Sequence, residues 1–118
     1  MEGEAFFKSE MRRTLENLVA DAAAQRRYVE SQKLSPSIDE LALEFDDICS
    51  RLSIVLEEGT VDAETVAALE RVRAQLKAMS GEKNAELWHV DGLARPEWAA
   101  VRALARTALE RWRTVSGG

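Results

Sequence analysis

The chain has 118 residues, 46% of them apolar and 31% charged, with 21 acids against 16 bases, a net charge of −5 and one cysteine. That length makes one domain, 1–118, hiding roughly two-thirds of its extended surface, and the composition is too apolar for a disordered segment. A lone Cys49 excludes an internal disulfide and a multi-cysteine metal site, and charges interrupt every apolar run well short of the ~18 residues a membrane helix requires.

Met1 to Glu10 carries acids and aromatics where a secretory signal carries bases, so a cytoplasmic location is expected, or else export without a conventional signal. The first helix is predicted from about Glu4 to Gln32, with Phe7, Met11, Leu15, Leu18, Ala22 and Val29 near one side. Pro36 disfavours helical geometry in the residue before it, so Leu34 to Ser37 ends that helix. The next helix starts at Ser35 or Ser37; the second choice gives a capping box with Glu40. It runs to Gly59, a residue tolerant of the left-handed turn after a helix.

A third helix is expected from Asp62, a natural N-cap, to Met79, with Val66, Leu69, Val72 and Leu76 inward and Gly81 after it. Asn84 to His89 makes a short turn. Pro96 then occupies a first helical position and opens a last helix reaching about Thr114, with Trp98, Val101, Ala105, Leu109 and Trp112 buried. No strand-like alternation competes. The fold class is therefore all-α, an irregular four-helix bundle with an additional short helical turn.

Around the second helix, Ile38, Leu41, Phe45, Ile48, Leu52 and Val55 alternate steps of three and four and form one core seam. Leu43 and Ile54 lie nearly opposite it, three turns apart, framed by Glu40, Asp46, Asp47, Ser50, Glu57 and Glu58. Either another helix covers that pair, or it is the anchor of a protein interface with a polar rim. Charge supports the interface. Leu34 to Glu70 holds ten acids and a single base, Arg51. Glu57 and Glu58 occupy a last turn, where the helix dipole disfavours negative charge. On the last helix Arg95, Arg102, Arg106 and Arg113 line one side, and intramolecular pairing with the acidic helix is their expected role. Phosphate contact is the alternative.

Catalytic constellations are weak. Glu86 and His89 have the Glu-x-x-His spacing of carboxylate-bridged di-iron bundles, but a second copy is needed and the chain has one histidine. Glu44 and Asp47 stand one turn apart, a spacing that holds Mg²⁺ in all-α nucleotide pyrophosphohydrolases, yet no second motif repeats it. No catalytic residue, cofactor or metal ligand set is expected, nor a nucleic-acid partner, since the charge is negative and no such motif is present.

A compact acidic helical chain with Leu43 and Ile54 inside a carboxylate frame resembles, in general character, the bacterial immunity proteins. That resemblance implies neutralising a toxin by steering to and covering its basic surface. The expected partner is a protein with a basic surface. A homodimer through Leu43 and Ile54 is the rival within this class, and a Mg-dependent nucleotide hydrolase using Glu44 and Asp47 the rival outside it.

Overall fold

The structure, a computed structural model, describes residues 2–31, 38–51 and 61–115. Among these residues the chain is helical with no strand. Two helices, α1 (Glu2–Val19) and α2 (Ala22–Glu30), replace the single one expected from Glu4 to Gln32. At the break Asp21 is extended, with φ −67° and ψ 166°, and its carboxylate accepts from the Ala24 amide at 2.8 Å. An aspartate that satisfies free amides at a helix start thus prevails over the helix propensity of the alanines around it. The side-chain amide of Gln25 closes the other end of the break. It donates to the carbonyls of Asn17 and Leu18 at 3.2 and 3.0 Å, in the turn where α1 runs out of backbone partners.

The expected break at Leu34 to Ser37 lies outside the described residues. Beyond it, α3 (Asp39–Cys49) follows Ile38, which supplies no side-chain cap. Ile38, Leu41, Phe45 and Ile48 of the expected seam are buried, while Leu52 and Val55 lie outside the described residues. The predicted run to Gly59 is corrected. Ser50 and Arg51 form a turn, with the Arg51 amide tightening onto the Ile48 carbonyl at 3.1 Å and the Ser50 hydroxyl donating to the Asp47 carbonyl at 2.6 Å. Two carboxylates in the last turns and a serine bonded to local backbone both favour ending the helix there.

Asp62 caps α4 (Ala63–Ala78) as expected, accepting from the Thr65 amide at 2.8 Å. The helix buries Ala68, Leu69, Val72 and Leu76, but Val66 only half. Gly81 follows with φ +109°, a backbone conformation that side chains resist. Two 3₁₀ helices, Glu82–Trp88 and Val90–Ala94, occupy the stretch where a single short turn was expected. Pro96 then opens α5 (Pro96–Val115).

The last helix is the centre of the packing. It lies along both α1 and α4, while α3 leans on α1 and touches α4 only lightly, and α2 rests on the second 3₁₀ helix. Trp98, Val101, Ala105, Ala108 and Trp112 are fully withdrawn from water. Each tryptophan indole N–H finds a carbonyl: Trp88 that of Met79 at 2.8 Å, Trp98 that of Leu87 at 2.7 Å, and Trp112 that of Lys8 at 3.1 Å. These bonds let large rings be buried without an orphaned donor. Trp88 and Trp98 also meet edge to face, with centroids 5.4 Å apart, clipping the 3₁₀ segment to α5. No helix among the described residues is long and apolar enough to cross a membrane.

Candidate functional site

The amphipathic spacing of α3 turns Leu41, Phe45 and Ile48 inward and leaves Leu43 on the outside. Leu43 is 58% exposed, the one large apolar side chain so placed among the described residues. A second element gives it a setting. Because α3 and α4 approach only lightly, a groove of about 560 Å³ opens between them, walled by Leu43, Leu76 and Trp88 and edged by Asp46, Arg73 and Lys77. It continues past Ser80 and Gly81 into a shallower depression of about 360 Å³ that Leu43 and Trp88 also line. Leu43 therefore stands at the lip of an apolar trough and is not an isolated surface residue.

The expected rim is reproduced in part. Asp46 borders the groove and receives the Arg73 guanidinium at 3.1 Å, while Arg73 also reaches Glu70 at 3.3 Å. Asp47 and Ser50 are exposed on the same helix, joined by the hydroxyl-to-carbonyl bond that ends it. The side chain of Glu40, and Ile54, Glu57 and Glu58 entirely, lie outside the described residues. Since α3 stops at Cys49, the helical angle from Leu43 is followed only that far, and the expected pairing of Leu43 with Ile54 lies outside the described residues. Sequence periodicity placed Leu76 inward but missed the groove and its residues Trp88, Arg73 and Lys77, because a groove between two helices leaves no trace in the pattern of either one.

The other candidate groups have structural employment. Glu44 accepts from the Tyr28 hydroxyl at 2.6 Å and from Arg13 at 3.1 Å, and Arg13 also holds Glu10 at 2.9 Å. This tie fastens α3 to α1 and α2. Burial, reinforced by the bond to Glu44, raises the Tyr28 phenol above its ordinary value. Glu44 thus faces a tyrosine and an arginine, and among the described residues no three acids, histidines or cysteines gather as metal ligands would. Glu86 is bonded to Arg95 at 3.1 Å, and His89 is exposed at the joint between the two 3₁₀ helices. Cys49 is buried, and desolvation pushes its thiol up to about 12, so it sits in the core as a neutral, unreactive group.

Two arginines of the expected stripe, Arg95 and Arg102, are bonded elsewhere than to the acidic helix among the described residues. Arg95 goes to Glu86, and Arg102 donates to the side-chain oxygen of Gln25 at 3.0 Å and to the Leu93 carbonyl at 2.9 Å. The described bases that reach α3 come from α1 and α4, as Arg13 and Arg73. The reason is packing: α5 lies against α1, α4 and the second 3₁₀ helix, so Arg102 meets Gln25 and the Leu93 carbonyl, and Arg95, just before the helix, meets Glu86. No family model matches this chain, and neither a curated protein nor a solved structure does.

Proposed function

We propose that this chain is a small, acidic, cytoplasmic protein-binding module of the immunity-protein type, an irregular four-helix bundle whose outer α3 face covers a basic surface on a protein partner. The carrying observation is Leu43, 58% exposed at the lip of an apolar groove and bordered by Asp46 and Asp47. An apolar anchor beside a pocket, inside a polar rim, is the layout in which a few residues supply most of a binding energy. The acid of the middle third supplies the complementary part, drawing a basic partner in and setting its approach rate. Glu40, Ile54, Glu57 and Glu58 belong to the same proposed face. A two-fold homodimer through this face would set acids against acids, and a magnesium site at Glu44 and Asp47 would need Tyr28 and Arg13 to release Glu44, so neither gains support.

The test is a pair of measurements on Leu43→Ala and Leu43→Asp. Exposed as it is, the alanine variant should melt within about 0.5 kcal/mol of wild type. Affinity capture from the source cell, run in parallel with wild type and Leu43→Asp, should recover a basic protein with the wild type alone. Its association rate should fall as salt rises, since exposed charges are screened beyond about 8 Å at physiological ionic strength. Equal recovery by both proteins, or a rate flat across salt, would remove the proposal.

A further inference from the structure

Two arginines of α5, Arg102 and Arg106, meet at a place away from the α3 face. Ala99 and Ala103 keep the surface of α5 low opposite the α1–α2 break, and a cleft of about 470 Å³ opens there, lined by Val19, Asp21, Ala99, Arg102, Ala103 and Arg106. The Arg102 guanidinium is half-buried in it, and its hydrogen bonds go to two neutral acceptors, Gln25 and the Leu93 carbonyl. No carboxylate pairs with it among the described residues. Arg106, one turn further along α5 and on the same wall, is exposed and makes no hydrogen bond or ion pair among the described residues.

A cation drawn partly out of water and met only by neutral dipoles lacks the counter-charge that normally accompanies burial. Gln25 and Leu93 hold the Arg102 fork in place, which lowers the entropy lost when a ligand binds it. Two guanidinia one turn apart present planar sets of N–H donors matched to tetrahedral oxoanions. Asp21 lines the same cleft, but one of its oxygens is committed to the Ala24 amide, and it leaves the three charged groups with a net positive charge. We infer that this cleft is a binding site for a phosphate group, with Arg102 and Arg106 as its ligands and Asp21 tempering its affinity. The site is separate from the α3 face and stands or falls independently of it.

Isothermal titration of inorganic phosphate into the full chain, at ionic strength matched with sodium chloride, should give a saturable one-site heat. Arg106→Gln alters an exposed side chain and should weaken binding by about tenfold or more, the worth of a charge-assisted hydrogen bond. Asp21→Asn preserves the cap, because asparagine caps as well as aspartate, and should tighten binding by removing a like charge. Acetate should bind more weakly than phosphate. Absence of a saturable heat, an affinity unchanged in Arg106→Gln, looser binding in Asp21→Asn, or acetate binding as tightly as phosphate would each overturn the assignment.

Discussion

Replacing Gln25 by methionine isolates the polar joint between α1, α2 and α5. Gln25 is 1% exposed, and its side chain gives two hydrogen bonds to the Asn17 and Leu18 carbonyls and accepts one from Arg102. Methionine has a similar length and volume, so cavity and strain terms stay small. What remains is the polar loss. The two carbonyls share one NH₂ group, and stranding acceptors in a buried site costs about 1 to 3 kcal/mol, while Arg102, half-exposed, recovers most of its lost bond from water. A better-buried apolar side chain offsets about 1 kcal/mol of this. The expected net cost is about 1 kcal/mol. Equilibrium urea unfolding should show it as a lower midpoint at unchanged slope. Gln25→Glu provides the control: it keeps an acceptor for Arg102 but sets a carboxylate against two carbonyls, so it should cost at least as much as methionine. A Gln25→Met protein within about 0.5 kcal/mol of wild type would show that water already serves the end of α1, and that Gln25 is not what closes it.

A methyl group on Gly92 would lie 2.5 Å from the Glu86 carbonyl oxygen and 2.7 Å from that of Leu87, both backbone. Gly92→Ala should therefore lower stability by about 2 kcal/mol, in the range of overpacked sites, and an unmoved thermal midpoint would refute the close approach. The Cys49 thiol, raised to about 12 by burial, should resist a thiol-specific reagent at pH 8 until the chain unfolds, and rapid labelling of the native protein would contradict its placement. Tyr28 keeps its proton longer when folded, so its contribution to stability is intact below pH 10 and declines as pH rises through its higher folded value. Unfolding measured from pH 9 to 12 should show that decline, and Tyr28→Phe should flatten it; identical profiles would place Tyr28 outside the Glu44 tie.

Elements with strong local signals were legible in the sequence. Asp62, Gly81 and Pro96 mark boundaries through chemistry that acts within a residue or two, and the structure puts each in the role its type suggests. The apolar periodicity of α5 named its buried face correctly because that face is wide and continuous. The α1–α2 break was not legible in the same way: Asp21 sits among alanines and an unbroken apolar stripe, and only the reach of Gln25 across the gap shows that the chain turns there. The early end of α3 was missed for a related reason. Its apolar phase runs on toward Val55, whereas Asp46, Asp47 and Ser50 weaken the helix at its end through charge and local bonding. At the candidate site, exposure of Leu43 followed from angle alone, but Trp88 and Arg73 reach the groove through the mutual placement of helices that one sequence does not encode locally.

The bond from the Trp112 indole to the Lys8 carbonyl joins positions 104 residues apart, and it belongs to the antiparallel contact of the first helix with the last. Closing so long a loop is entropically slow compared with pairing neighbours along the chain, so the order of folding is set from the far end. During synthesis α1, α3 and α4 would emerge with their apolar faces uncovered, and burial could not be completed until α5 arrived to fill the space among them. A circular permutant that links the two ends and opens the chain elsewhere would turn the slowest contact into a local one.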